Sequence, residues 1–111
     1  MGYGQPKTHV QTVCAYVEAH LTERIRVSDV AKATGLNASY LNTCFCRQTG
    51  ESVTAFIRRR KTEKAKQLLR QREYSIAQVC GMLGYCDQSH FTRAFKAEAG
   101  CTPGEYRASE K

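Results

Sequence analysis

Long apolar runs, acidic residues and grouped metal ligands are all scarce in this chain of 111 residues. No apolar stretch approaches the roughly 18 residues of a membrane span, and Met1-Gly2-Tyr3-Gly4-Gln5-Pro6 lacks the apolar core of a signal peptide. A soluble, cytoplasmic protein with no membrane partner is expected. Only 10 Asp and Glu stand against 17 Lys and Arg, a formal charge of +7. That balance favours a polyanionic partner, nucleic acid or an anionic surface. The three histidines show no ligand spacing, and the six cysteines form no four-cysteine zinc cluster. Cys44 and Cys46 are two apart, about 200° around a helix, which makes a poor chelate. No Cys/His/Glu constellation could build a nucleophile. No catalytic residue, metal site or cofactor is expected, and the chain does not read as an enzyme.

What is present is a dense stretch from Gly84 to Lys96, closed by Gly100-Cys101-Thr102-Pro103. Gly84 suits a turn that needs positive φ, and Asp87 can accept from the first amides of a following helix. Phe91 and Phe95, four apart, share one face and anchor that helix to a core. Gln88, Ser89, Thr92, Arg93 and Lys96 then fall on the remaining surface, which is polar and rich in donors. Such a face can hydrogen-bond base edges and phosphates in a major groove. The plain alternative is a solvated helix face.

A second copy argues against that alternative. At an offset of 49 residues, Val27, Val30, Ala31, Gly35 and Leu36 match Ile76, Val79, Cys80, Gly84 and Tyr85. At an offset of 50, Leu41, Phe45, Gly50 and Ser52 match Phe91, Phe95, Gly100 and Thr102. Two copies are too few for a solenoid. Two similar units joined by something rigid fit better.

The run Ser75-Ile76-Ala77-Gln78-Val79-Cys80, Leu83-Gly84-Tyr85, Asp87 to Lys96, Gly100, Thr102-Pro103 and Tyr106-Arg107 resembles the signature of AraC/XylS-family transcription regulators. Gly35-Leu36-Asn37-Ala38-Ser39-Tyr40-Leu41, with Phe45 and Gly50, resembles the first helix-turn-helix of the same family. The resemblance covers roughly residues 7–107. It implies an all-α fold of about seven helices, with two helix-turn-helix subdomains joined by a long linker helix. It also implies sequence-specific binding of double-stranded DNA, with a recognition helix in each of two adjacent major-groove segments. A role in bacterial transcription regulation at the nucleoid is implied as well, usually activation through contact with RNA polymerase.

Within that frame the chain reads as one domain in three parts. The first helix-turn-helix unit spans 7–50: a helix from about Lys7 to His20, a second from Ser28 to Thr34, and a third capped by Asn37 and ending near Thr49 before Gly50. The linker helix spans 52–71, with Phe56, Ile57, Ala65, Leu68 and Leu69 inward and Arg58, Arg59, Arg60, Lys61, Lys64, Lys66 and Arg70 outward. The second unit spans 74–107, opened by the capping-box pair Ser75 and Gln78, with a short last helix ending near Arg107.

Arg93 is the strongest candidate for DNA contact, because a guanidinium can take guanine O6 and N7 bidentately or clamp a phosphate. Gln88 suits adenine, and Lys96 lies further along toward the phosphates. On the first reading helix Ser39, Asn42, Thr43 and Arg47 face outward, and Asn42 can address adenine bidentately. Arg58 and Arg60 on the linker helix are expected to touch phosphate. Two different reading helices let a single monomer read an asymmetric site. The thiols are expected to be reduced, with Cys14, Cys44 and Cys80 packed as small apolar groups and Cys46 and Cys86 exposed. The alternative function is a DNA-binding sensor whose cysteines respond to redox state or metal, since oxidation of Cys86 beside the reading helix could block DNA.

Overall fold

The computed structural model describes residues 6–109, with side chains from His9 onward, so all but the last residue of the opening segment read against a signal peptide lies outside it. Among the described residues the chain forms seven helices and no strand. They are α1 (Pro6–Ala19), α2 (Val27–Thr34), α3 (Ala38–Thr49), α4 (Val53–Arg70), α5 (Ile76–Met82), α6 (Gln88–Ala99) and α7 (Pro103–Ser109). The all-α expectation holds. The chain divides into two units. One takes the residues up to His20 together with Ile25–Ile57, and the other takes Leu21–Arg24 together with the chain from Arg58 onward. The long helix is therefore shared, its first turn belonging to one unit and its remainder to the other.

In the first unit α1 packs on α2 and α3. The apolar positions that recur three and four apart bury Val13 and Val17 of α1, Val30 and Ala31 of α2, and Leu41 and Phe45 of α3. Val53, Phe56 and Ile57 are also buried, and the Phe45 and Phe56 rings lie 5.3 Å apart. The start of α2 is unusual. Its N-cap is Arg26, whose guanidinium has no acceptor, so only the return bond of a capping box forms: the Arg26 N–H donates to Asp29 Oδ2 at 3.1 Å. Asn37 opens α3 as expected, its Oδ1 accepting from the Ser39 and Tyr40 amides at 2.8 and 3.3 Å.

In the second unit Ala65, Leu68 and Leu69 of α4 share a core with Val79, Cys80, Leu83, Phe91 and Phe95. Truncating either phenylalanine to alanine is expected to cost about 3–5 kcal/mol, because a close-packed core cannot collapse into so large a void. Three caps start the helices. Ser75 and Gln78 exchange backbone and side-chain bonds at 2.7 and 3.0 Å. Asp87 Oδ1 accepts from the His90 amide at 2.7 Å, and Thr102 and Glu105 form a second reciprocal pair at 2.9 and 3.1 Å. At Gly84 φ is +77°, and an added Cβ would lie 2.6 Å from the Glu23 carbonyl carbon. Both conformation and space therefore demand glycine there.

Candidate nucleic-acid interface

On α6, Phe91 and Phe95 are buried, and the next residues around the helix face away from the core. Gln88, Ser89, Arg93 and Lys96 are exposed, and Thr92 is half-buried. Gln88, Ser89, Thr92 and Arg93 line one surface depression of about 550 Å³. An amide, two hydroxyls and a guanidinium converging there match the donor and acceptor pattern of base edges. Glu98, near the end of α6, meets Arg58 Nε at 3.2 Å. The turn before α6 is braced by aromatic packing: the Tyr85 ring lies 5.1 Å from Phe91 and meets His90 edge-on at 5.4 Å. Burial pushes the Tyr85 phenol above its ordinary pKa.

Helix α3 of the first unit differs from expectation at one residue. Ser39, Thr43 and Arg47 are exposed and lie four apart along one line of α3. Thr43 Oγ1 donates back to the Ser39 carbonyl at 3.0 Å. Asn42, expected to face outward, is half-buried, and its Oδ1 accepts the Val53 amide at 2.9 Å. A bidentate adenine contact needs that same oxygen as its acceptor. Asn42 is thus committed to satisfying the first amide of α4, where Ser52 Oγ accepts from Ala55 at 3.0 Å. A residue missed in the sequence stands nearby. Tyr40 is 56% exposed on α3. Its hydrogen bond with Cys44 raises the phenol pKa, while the Arg47 guanidinium pulls the other way. The signal was available, since Tyr40 matches His90 at the same offset of 50 that pairs Leu41 with Phe91.

The basic face of α4 also needs correction. Arg58 is exposed and bonded to Glu98; Arg59 and Arg60 both reach Glu63. Lys61, expected outside with them, is only 6% exposed. Burial pushes its pKa down to about 8, opposed by the attraction of Glu23. Cys80 is buried and its thiol pKa is raised, chiefly by that burial, while Cys46 and Cys86 are exposed. Among the described residues no three His, Cys, Asp or Glu side chains are placed to hold a metal ion, and no helix is long and apolar enough to cross a membrane.

Comparison with known proteins agrees with this architecture. A family model for a helix-turn-helix domain matches residues 30–109. The xylose operon regulatory protein of Escherichia coli K12 is 36% identical over 92 residues, which cover 83% of this chain and 24% of that protein. The regulatory protein SoxS of Salmonella typhimurium is 32% identical over 98 residues, covering 88% of this chain and 92% of SoxS. The chain spans less than half the length of several other curated relatives it matches. Among solved structures, the C-terminal domain of AraT, a response regulator from Geobacillus stearothermophilus, superposes with a TM-score of 0.86 at 26% identity, covering 91% of this chain and 84% of that one. The DNA-binding domain of AdpA, solved with a target DNA, shares the fold with a TM-score of 0.82 at 24% identity, covering 90% of each chain. The chain belongs to the AraC/XylS family of helix-turn-helix transcription regulators.

Proposed function

We propose that this chain binds double-stranded DNA sequence-specifically, reading one block of bases with α6 and a second block with α3. The observation that carries the proposal is the convergence of Gln88, Ser89, Thr92 and Arg93 on one surface depression. Arg93 addresses guanine or clamps a phosphate, Gln88 addresses adenine, and Lys96 meets the backbone. On α3, Ser39 and Thr43 are short readers suited to shape and to thymine methyl groups, Arg47 adds a phosphate contact, and Asn42 takes no part. Arg58 and Arg60 supply further phosphate contacts, exchanging their carboxylate partners for phosphate oxygens at little cost, because exposed ion pairs are worth about 0–1 kcal/mol. One monomer reads one asymmetric site, since the two helices carry different side chains. The role is bacterial transcription regulation in the cytoplasm at the nucleoid, with activation through RNA polymerase as the expected direction.

The test is selection from a random duplex library of ~30 base pairs, followed by anisotropy titration of the winner and a scrambled control. The expected result is two enriched blocks about one helical turn apart, bound at one chain per duplex and ~1000-fold or more tighter than the control. A single enriched block would mean that one helix does not read bases. No enriched sequence would leave a basic chain that binds DNA without discrimination.

A further inference from the structure

Lys61 lies on the stripe of α4 that points into the second unit, between Ile57 and Ala65. A lysine is seldom fully buried without partners for its three donors. Here Nζ donates to three backbone carbonyls: Leu21 at 3.2 Å, Glu23, and Leu83. Leu83 is the buried C-cap residue just past α5, where the last carbonyls of a helix have no partner inside it. The Leu21 and Glu23 carbonyls belong to the stretch after α1. One side chain thus bonds backbone carbonyls of two separate segments. These segments also touch directly, since Gly84 leaves no room for a Cβ against Glu23 and Arg24.

The turn held in this way is the entry to α6. Leu83 precedes Gly84; Tyr85 follows, 5.4 Å from Lys61 Nζ by its ring centre and packed on His90 and Phe91. Two residues later Asp87 caps the helix that carries Gln88, Ser89, Thr92 and Arg93. We propose that Lys61 is a positioning residue for base recognition: by clamping Leu21–Arg24 to the Leu83–Tyr85 turn it fixes where α6 presents its reading side chains, and so sets the sequence discrimination of the second unit. Lys61 itself touches no DNA. This inference rests on the DNA-reading proposal above, and bidentate base contacts make discrimination sensitive to small displacements of a helix.

The experiment uses the full chain and three duplexes: the selected site, the site with the α6 block scrambled, and the site with the α3 block scrambled. Lys61→Met keeps the length and apolar stem and removes all donors; Lys61→Gln keeps two N–H donors and takes its place if Lys61→Met loses its helical circular dichroism. Lys61→Arg keeps a full set of donors. The expected result is a tenfold or greater loss of discrimination at the α6 block in Lys61→Met or Lys61→Gln, with the α3 block ratio within twofold of wild type. Lys61→Arg should restore the α6 ratio to within about threefold. Unchanged ratios at both blocks in a folded variant would overturn the proposal, and so would equal loss at both, which marks general destabilisation. A wild-type chain that enriches no sequence would overturn the DNA-reading proposal itself, an outcome separate from a wild-type chain that discriminates and a variant that does so equally well.

Discussion

At the scale of single residues, the guanidinium of Arg93 is the group on α6 best matched to a guanine edge, and it is exposed beside Gln88, Ser89 and Thr92. Arg93→Ala is expected to cost about 1–3 kcal/mol on the selected site and to relax preference at one base position. Anisotropy titration of selected and scrambled duplexes checks this, and equal weakening of both would make Arg93 a phosphate contact. Asn42 tests the opposite assignment. Because its Oδ1 holds the Val53 amide, Asn42→Ala should cost about 0.5–2 kcal/mol of stability, as loss of a helix cap does, and leave base preference unchanged. Urea unfolding reads the first part; a shifted preference in repeat selection would return Asn42 to the interface. The outward polar face of α6 was legible from the spacing of Phe91 and Phe95 alone, because a helix period needs only local information. Asn42 and Lys61 were not legible, for a shared reason: their partners are remote. Asn42 bonds a residue 11 positions away, and Lys61 bonds carbonyls 40, 38 and 22 positions away. The spacing of Ile57, Lys61 and Ala65 did place the lysine on the inner stripe. Charge stays outside as a rule, and that rule yields only where acceptors converge.

At the scale of elements, helix ends were the most legible part of the fold, because caps act over three or four residues. Ser75 with Gln78, Asn37, Asp87, and Thr102 with Glu105 all make the bonds their spacing suggests. Boundaries shift by a residue or two: α2 begins at Val27 rather than Ser28, and α7 runs to Ser109 rather than ending near Arg107. The linker helix was found but its allegiance was not, since its division between two units is set by packing partners distant in sequence. The cap at α7 makes a pH prediction. Bonds from the Thr102 backbone amide, then its hydroxyl, hold the Glu105 carboxyl below the ordinary value of 4.5. The ionised carboxylate is thus favoured in the folded chain. Its contribution is present above the unfolded pKa and is lost as pH falls through the lower folded value. Thermal unfolding followed from pH 6 down to pH 3 should show wild type losing more stability than Glu105→Gln. Parallel curves would mean that the cap does not depend on ionisation.

At the scale of the whole molecule, the excess of 17 basic over 10 acidic residues states that the chain favours a polyanion but not which charges meet it. Eight of the basic side chains lie between Arg58 and Arg72, where Glu63 and Glu73 are near at hand, and the structure separates them by what they already hold. Arg58 bonds Glu98 at the surface; Arg70 donates to the Tyr106 hydroxyl at 3.1 Å; Lys66 sits 5.8 Å over the Tyr106 ring; Lys61 is buried among carbonyls. Only a charge that reaches a phosphate displaces a condensed counterion, and each such contact contributes about 0.9 to the slope of log affinity against log salt. Arg58 and Lys61, three residues apart in one helix, should therefore behave oppositely. Arg58→Ala is expected to weaken selected and scrambled duplexes alike and to reduce the salt slope by about one. Lys61→Met removes the same formal charge, yet on a scrambled duplex its slope should match wild type, because an ammonium enclosed by protein carbonyls releases no ion from DNA. Titrations of both variants across 50–300 mM salt decide the matter. A slope unchanged by Arg58→Ala would leave that side chain as a brace between α4 and α6. A slope lowered by Lys61→Met would mean that the ammonium opens to DNA on binding.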